Sequence, residues 1–356
     1  MVIMKKFQYI MLAAVAAVLL VSCEKVSPIG ILVSGTGVED RVKMSYQYFR
    51  EYKSEFSGFD AQGDEYTFLV GSDSHVTTDC GRMEEMLKRG IDDGDMFMAH
   101  LGDIADTKIE YYINLENALN KAKKWYVDKY FKKDFIYDEE INDSIPYYYD
   151  PNPNNSANVG IFTNIEDVHI PFYPVVGNHD ITHNGWAMWS NIFHSSFYDF
   201  YVGVGYVDDI LIFDHFIFLD TASGTLGREQ VNLIEQGVMD DRNMEEMGIK
   251  TRNTFVFSHT NIFRPRSVEL ASTFAREELY FLLNKFREWN VTIAFLGHVH
   301  KWDDRVFGDV QYLTLDSMCE ANNPEPGDYL VRVHVKRNGT VTWEKVHMNY
   351  TPNNKK

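Results

Sequence analysis

The segment Phe172-Tyr-Pro-Val-Val-Gly-Asn-His-Asp180 joins a short apolar run to a cluster of three polar side chains. Short apolar runs rich in β-branched and aromatic residues are typical of buried strands. Gly177 is the residue type that a turn with positive φ requires. The segment therefore predicts a buried strand that ends in a tight turn bearing Asn178, His179 and Asp180.

The same pattern, an apolar run followed directly by His or Asp, occurs at four other places in the chain. The polar elements there are Asp73-Ser-His75, Gly102-Asp103, Ser258-His259 and Gly297-His-Val-His300. Polar residues at the carboxyl ends of neighbouring strands meet at one edge of a sheet. We therefore expect all five elements to form a single site.

The segments around these five strands indicate the fold class. Apolar residues at helical spacing predict helices over 82–90 and 274–289. Strand-like runs follow around 310–315, 329–335 and 341–346. The sequence therefore predicts an α/β or α+β fold with two sheets.

The polar side chains at the strand ends are imidazole nitrogens, carboxylates and one amide oxygen. Such mixed ligands suit Mn, Fe, Zn or Co, whereas Ca and Mg prefer oxygen alone. Two ions about 3.5–4 Å apart would bind phosphoryl oxygens and lower the pKa of a bridging water towards about 7. The pattern thus favours a centre with two divalent or trivalent transition-metal ions, whose identity it leaves open.

The ordered series Asp73-x-His75, Gly102-Asp103-x-x-Asp106, Gly177-Asn-His-Asp180, His259 and Gly297-His-x-His300 resembles the calcineurin-like metallophosphoesterase superfamily. The resemblance covers about 67–315. It implies a four-layer αββα sandwich with two mixed sheets and a dinuclear metal site at the strand ends. It also implies hydrolysis of a small phosphomonoester or phosphodiester by metal-activated hydroxide, and the choice between the two ester classes stays open.

The same resemblance assigns roles to individual residues. His179 would be the general acid that protonates the leaving oxygen, and Asp106 would position it; a carboxylate partner fixes the tautomer of an imidazole and raises its pKa. Asp180 is expected to be a structural hydrogen-bond partner at the turn. One metal would take Asp73, His75, Asp103 and His300, and the second would share Asp103 and take Asn178, His259 and His298.

Some positions depart from particular branches of that superfamily. Thr107 stands where the Ser/Thr protein phosphatases have arginine, and Asp180 where they have glutamate. Asp106 stands where purple acid phosphatases carry the tyrosine that ligates ferric iron. These departures disfavour both branches.

Other polar residues near the motifs are candidates for binding substrate, namely His183, Trp186, Arg264 and Arg266. An arginine fork suits a pair of phosphate oxygens. For each of the four, a surface or packing role is an open alternative. His100, which lies on a predicted strand, is expected to be a buried and hydrogen-bonded histidine.

The net charge of −18 over 356 residues disfavours duplex nucleic acid as a partner, because no basic face is evident. Near the amino terminus, Lys5 and Lys6 precede an apolar run over 10–21. That run ends in Leu20-Val-Ser-Cys23, which resembles the lipobox of bacterial lipoproteins. The resemblance implies a signal peptide over 1–22 and an extracytoplasmic protein, periplasmic or at the cell surface, anchored to a membrane through lipidated Cys23. An ordinary secretory signal is the alternative.

The remaining organisation follows from composition. Residues 23–63 are predicted to be a tether and a packing segment, and 64–350 the metallophosphoesterase domain. Within it, 108–160 is an insertion predicted to hold a helix over 113–130 and then a long loop, serving either as a substrate wall or as surface decoration. A disulfide between Cys80 and Cys319 and the oligomeric state are left open.

Two other functions are compatible with part of the pattern. A non-catalytic binding lipoprotein would keep the phosphoesterase fold without turnover, although it would have no use for an unligated acid at His179. A structural sheath or adhesin component should carry no stoichiometric metal. Activity towards phosphate esters and elemental analysis distinguish these alternatives from an enzyme.

Overall fold

The computed structural model describes residues 36–52, 58–61, 63–138, 143–151, 161–241, 248–263, 274–318 and 329–349. The predicted signal peptide, Cys23, Arg264, Arg266 and Cys319 lie outside the described residues. The helices are α1 (Val38–Glu51), α2 (Gly81–Asp93), α3 (Ile109–Tyr130), α4 (Asn178–Ile181), α5 (Gly185–Phe193), α6 (Gly227–Glu235) and α7 (Arg276–Glu288). None of them is long and apolar enough to cross a bilayer.

The strands of the described residues form two large sheets and one small sheet. In chain order they are β1 (Phe59–Asp60), β2 (Glu65–Gly71), β3 (Phe97–His100), β4 (Lys132–Asp138), β5 (Asp143–Tyr149), β6 (Ile161–Phe162), β7 (Phe172–Pro174), β8 (Tyr198–Val207), β9 (Ile210–Leu219), β10 (Ile249–Ser258), β11 (Val291–Leu296), β12 (Asp303–Phe307), β13 (Val310–Thr314), β14 (Tyr329–Lys336) and β15 (Val341–His347).

Both large sheets combine parallel and antiparallel strands. One has the order β1-β8-β9-β10-β11-β13-β12, and the other has the order β15-β14-β2-β3-β7. Strands β2, β3 and β7 run parallel, as do β9, β10, β11 and β13. Their carboxyl ends therefore lie together at one edge of each sheet.

An aromatic core fills the space between the two sheets. Phe68 and Phe97 of one sheet contact Phe216 of the other, with ring centroids 5.4 Å and 4.9 Å away. Helices α2, α3 and α5 cover the outer face of the five-stranded sheet, and α1, α6 and α7 cover the seven-stranded sheet. The αββα order of layers with two mixed sheets is confirmed.

The sequence did not predict the hairpin of β8 and β9. Asp214 and His215 interrupt the apolar pattern of β9, and polar residues inside a strand ordinarily argue against burial. Tertiary partners compensate for Asp214: Tyr66 donates a hydrogen bond to it at 2.7 Å, and Arg252 donates another at 3.0 Å. Tyr66 belongs to the opposite sheet, so this buried carboxylate also ties the two sheets together.

The insertion differs from its prediction. Instead of a long loop, its described part after α3 contains β4 and β5, which form a small antiparallel sheet with β6 just beyond it. Helix α3 starts beside the ligand elements and extends about 33 Å over its 22 residues. Its last turn contacts the end of α2, where Lys129 Nζ donates to the Asp92 carbonyl at 2.6 Å. The small sheet therefore lies at the edge remote from the strand carboxyl ends, and the described part of it is not a wall of the site.

Helix α1 docks through a buried ion pair. Arg41 is 1 % exposed, and its Nε and Nη2 donate to the two carboxylate oxygens of Asp220 at 2.9 Å each. Glu39 accepts hydrogen bonds from the backbone N–H groups of Arg228 and Glu229 at the start of α6. The predicted packing segment thus contains a helix. Its side chains Arg41 and Glu39 hold it to Asp220 and to the first turn of α6, respectively.

We expect Arg41→Ala to lower the free energy of unfolding by about 3–5 kcal/mol, because it leaves Asp220 buried without its charged partner. Urea unfolding measures the change. Arg50→Ala, an exposed arginine of the same helix, is the matched control and should change stability little. Equal stabilities of the two variants would contradict a stabilising role for the buried pair.

A second buried charge cluster surrounds His215. Its Nε2 donates to Asp199 at 2.7 Å and its Nδ1 to Asp241 at 3.0 Å, while Tyr201 stacks on the ring. Burial opposes a charge on this ring, but the hydrogen bonds to the two carboxylates outweigh it and raise the pKa of His215 to about 9.

This pKa predicts a loss of stability at alkaline pH. The charged ring contributes its full stabilisation below its unfolded pKa of about 6.5. That contribution, about 3 kcal/mol, is lost as the pH rises through about 9. Calorimetry of the protein and of His215→Gln at pH 6 and pH 10 measures it: the difference in unfolding free energy between them should shrink at pH 10. A difference independent of pH would contradict the charged state, and His334→Gln, a change at a partly exposed histidine, serves as control.

Candidate metal centre

The five predicted elements converge at the carboxyl ends of β2, β3, β7, β10 and β11, which belong to both large sheets. Five of the seven candidate ligands have a left-handed backbone, which non-glycine residues adopt only at a cost of about 1 kcal/mol or more each. They are Asp73 (φ 50°), His75 (φ 42°), Asp103 (φ 49°), His298 (φ 71°) and His300 (φ 48°). Strain of this kind is concentrated at functional sites, and here it turns successive side chains towards one point.

One group of ligand atoms consists of Asp73, His75, Asp103 and His300, whose donor atoms all lie within 4.8 Å of one another. His75 Nε2 lies 3.4 Å from His300 Nε2, and His300 Nε2 lies 3.2 Å from Asp73 Oδ1. His75 Nε2 lies 3.8 Å from Asp103 Oδ2. This is the set that the resemblance implied for the first ion.

The second group consists of Asp103, His259 and His298, again within 4.8 Å. His259 Nε2 lies 3.5 Å from Asp103 Oδ2 and 2.9 Å from Asn178 Oδ1. Asp103 Oδ2 therefore faces both groups, as a bridging carboxylate must. The structure brings all seven candidate ligands together, and their binding of ions stays a prediction.

The histidine tautomers fit metal ligation. His259 Nδ1 donates to the carbonyl of Leu101 at 2.7 Å, and His75 Nδ1 lies 3.1 Å from Asp106 Oδ1. Each ring thus uses Nδ1 for an outer partner and presents a lone pair at Nε2, the arrangement typical of metal-bound histidine. His75 Nε2 and His300 Nε2 lie 3.4 Å apart, so that both nitrogens could reach one cation. The donor set therefore fits two transition-metal ions.

The electrostatics of the carboxylates agree with this assignment. Burial raises the pKa of Asp73, but His300, His259 and His75 outweigh it and hold that pKa well below its usual range. Burial likewise opposes ionisation of Asp103, whereas His259, His179 and His75 lower its pKa. Both carboxylates are therefore ionised and available as ligands at neutral pH.

His179 belongs to neither of the two groups that contain Asp103, although its donor atoms form a third close group with His75 and Asp106. Its Nδ1 lies 3.2 Å from Asp106 Oδ1, and its Nε2 lies 4.0 Å from Asp103 Oδ2. Burial raises the pKa of Asp106, but hydrogen bonds to His179 and His75 lower it below its ordinary value. An ionised Asp106 thus holds Nδ1 of His179 protonated and directs Nε2 into the site, and the same carboxylate orients His75.

Gly177 is needed for a different reason than the one predicted. Its φ is −106°, which any residue adopts. A Cβ at this position would lie 2.1 Å from Asp103 N and 2.2 Å from Asp103 Oδ1. The prediction of positive φ is therefore wrong, and the close contact with Asp103 requires the glycine.

Asp180 has the structural role predicted for it. It accepts hydrogen bonds from the backbone N–H groups of Gly177 at 2.8 Å and Ile104 at 3.1 Å, and from Tyr112 Oη at 3.3 Å. Burial and the nearby Asp103 raise the pKa of Asp180 to about 7. These bonds join the 177–180 turn to the 103–106 loop.

Trp186 is not a substrate residue in this structure. It is 2 % exposed and stacks on Trp189 at 5.4 Å, so its role is packing beneath the turn, and the prediction is wrong. His183 is exposed, with its Nδ1 3.5 Å from Thr107 Oγ1, and its contact with substrate stays a prediction.

His100 is fully buried as predicted, but neither ring nitrogen has a hydrogen-bond partner among the described residues. Burial lowers its pKa to about 3, so the ring is neutral, and the prediction of a hydrogen-bonded ring is wrong.

Some supporting groups were missed by sequence reasoning. The Leu101 carbonyl orients His259, Ser317 Oγ donates to the Asp73 carbonyl at 2.8 Å, and Tyr112 of α3 supports Asp180. A backbone carbonyl carries no signal in a sequence, and Ser317 lies 244 residues from Asp73.

Comparison with known proteins finds similar structures only. No family model matches the chain, and no curated protein does. Solved structures that resemble it include GAP50, the anchor in the inner membrane complex of Plasmodium, at 15% identity and TM-score 0.45, covering 81% of this chain and 90% of that one. A dimetal phosphatase from Danio rerio aligns at 10% identity and TM-score 0.41, covering 81% and 100%. An archaeal phosphodiesterase aligns at 10% identity and TM-score 0.33, covering 79% and 99%.

These identities are low, and this chain's own geometry carries the conclusion on its fold. Two facing mixed sheets lie between helical layers, with the aspartate and histidine elements in the expected order at their carboxyl ends. The described residues therefore form the αββα sandwich that the sequence resemblance implied, with the candidate ligands at the strand ends.

Proposed function

We propose that this protein is a metal-dependent hydrolase of phosphate esters. The observation that carries the proposal is the pairing of a complete set of metal-type ligands around Asp103 with His179, a histidine outside that set whose Nδ1 lies 3.2 Å from Asp106 Oδ1. A protein that only binds metal or phosphate gains nothing from a positioned proton donor. The second candidate, a non-catalytic binding lipoprotein, therefore explains less of the site.

The seven ligands would hold two transition-metal ions, which when bound supply Lewis acidity and a water of lowered pKa. The remaining chemistry belongs to the chain. His179 donates its proton to the leaving oxygen, because its Nε2 points into the site while Nδ1 is engaged by Asp106. The Asp180 network fixes the turn that carries His179, so the donor keeps its position during turnover.

A substrate screen with the metal-loaded protein tests the proposal. Metal-free protein is reconstituted with Mn, Fe, Zn or Co and offered p-nitrophenyl phosphate, bis-p-nitrophenyl phosphate and a cyclic nucleotide. We expect turnover of at least one of these, which also separates monoester from diester hydrolysis. Stoichiometric metal with no turnover of any of them would favour the binding lipoprotein, and no bound metal would favour a structural component.

We also propose that the protein is extracytoplasmic and anchored to a membrane through lipidated Cys23. The support is the lipobox-like Leu20-Val-Ser-Cys23 after an apolar run. Membrane fractionation of the full chain and of Cys23→Ala tests it. The variant should lose membrane association, and retention of both in the membrane fraction would contradict the anchor.

A further inference from the structure

The described chain begins at the same edge of the sheets as the metal centre. The carbonyl of Thr36 accepts a hydrogen bond from Arg41 Nη1 at 3.2 Å, and the same guanidinium binds Asp220. Asp220 directly follows β9, and its neighbour Thr221 accepts a hydrogen bond from the backbone N–H of Thr260, the residue after His259. The chain that leads back to Cys23 therefore leaves the domain beside the candidate ligands.

The length of that connection limits the orientation of the domain. Twelve residues, 24–35, separate Cys23 from Thr36. A segment of this length spans at most about 45 Å when fully extended. A globular domain of this size is about 50 Å across. A lipid on Cys23 would therefore keep the metal-centre edge within about 45 Å of the membrane, which excludes an orientation in which the opposite edge contacts the bilayer.

Exposed apolar residues occur at the same edge. Ile109 and Ile113, in the first two turns of α3, are 70 % and 51 % exposed. They follow Asp106 by a few residues and lie on one helix face, because residues four apart are neighbours on a helix. Lys108 lies beside them, with its Nζ 4.9 Å from the Tyr111 ring and 3.9 Å from the exposed carboxylate of Glu110, whose charge it partly offsets. Apolar side chains flanked by lysine and tyrosine suit the interface between lipid tails and head groups.

We propose that the metal centre faces the membrane and that its substrate is a phosphate ester carried by a membrane lipid. This inference rests on the proposed phosphoesterase function and on the lipid anchor. The oxygen of one water forms a bond to phosphorus, and the bond between phosphorus and the leaving oxygen breaks. The leaving oxygen takes a proton from His179, and one of the two hydrogens of the water restores that proton while the other stays on the phosphate product.

A change of tether length tests the orientation. The full lipidated protein with Mn²⁺ is reconstituted on vesicles of phosphatidylethanolamine and phosphatidylglycerol that contain phosphatidic acid, so that both a diester and a monoester are present. Inserting about 30 Gly and Ser residues after Lys25 should lower hydrolysis of vesicle lipid about sixfold, because effective concentration falls roughly as the −3/2 power of linker length. Hydrolysis of p-nitrophenyl phosphate in solution should not change.

A charge change at the apolar face tests the contact surface. Replacing Ile109 and Ile113 together with glutamate should lower the vesicle rate at least about fivefold and leave the soluble rate unchanged. The matched control replaces Tyr206 and Val207 with glutamate. These two are 70 % and 60 % exposed on the β8–β9 hairpin at the opposite edge, and both rates should stay unchanged.

The outcomes separate this inference from the function on which it rests. If the protein hydrolyses neither soluble esters nor vesicle lipids, the proposed phosphoesterase function itself is contradicted. If the protein hydrolyses soluble esters but its rate on vesicles changes with neither the longer tether nor the glutamate substitutions, only the membrane-facing orientation is overturned. Hydrogen exchange gives a readout independent of turnover: amides of 107–113 should exchange more slowly on vesicles than in detergent, with 206–209 unaffected. Equal exchange rates of the 107–113 amides on vesicles and in detergent would overturn the proposed orientation of the domain.

Discussion

Asp103→Asn should remove most of the bound metal and lower kcat by at least about 10³-fold. Asp103 Oδ2 lies 3.8 Å from His75 Nε2 and 3.5 Å from His259 Nε2, so this one oxygen serves both halves of the centre. Asparagine keeps the shape of the side chain and tolerates its left-handed backbone, but it removes the charge that the two ions would share when bound. The loss corresponds to about 4 kcal/mol of transition-state stabilisation, within the range that metal ions supply.

Elemental analysis and steady-state kinetics on the same preparation measure this prediction. Asp304→Asn is the matched control, since it makes the same chemical change on edge strand β12, where Asp304 accepts from Gln311 at 3.1 Å. The control should keep full metal content and activity. Full metal content and an unchanged kcat in Asp103→Asn would contradict the bridging role of Asp103.

His179→Ala should lower kcat by about 10²–10⁴-fold for an alkyl phosphate, whose leaving oxygen needs a proton. The loss should be much smaller for p-nitrophenyl phosphate, because p-nitrophenolate leaves without protonation. Metal content should stay unchanged, since His179 Nδ1 is paired with Asp106 and His179 is in neither group of ligands that surrounds Asp103.

The comparison of the two substrates makes this prediction specific to a proton donor. Loss of structure at the turn would slow both substrates equally, and that result would falsify the acid role of His179. His347→Ala, a change at an exposed histidine on β15, is the control and should leave both rates unchanged. The metal content of each variant is measured in parallel.

Much of the fold was predictable because local signals agreed with the tertiary arrangement. The strands that precede Asp73, Asp103, Asn178, His259 and His298 are short apolar runs, and each was found at its predicted place. Hydrophobic periodicity also located α2 and α7. The preference of such a segment for strand or helix depends on a few neighbouring residues. Its structure can therefore be predicted without knowing its distant contacts.

The failures of prediction have a common physical cause. The hairpin of β8 and β9 was missed because Asp214 and His215 are stabilised by partners from elsewhere in the chain, among them Tyr66 and Asp199. Trp186 was predicted near substrate because it follows the 177–180 turn, yet its ring packs on Trp189 in the core. Nearness in sequence did not specify the side-chain direction in this case.

The sequence by itself determined which side chains near the site are of ligand type and that each of them follows a strand. Only the tertiary structure decided that Asp103 lies between two ligand groups, that Asp106 contacts both His75 and His179, and that α1 begins at the metal-centre edge. The reason is physical. Ligand chemistry and strand preference belong to individual residues and short segments, whereas bridging, shared hydrogen bonds and orientation depend on distances between atoms far apart in the chain.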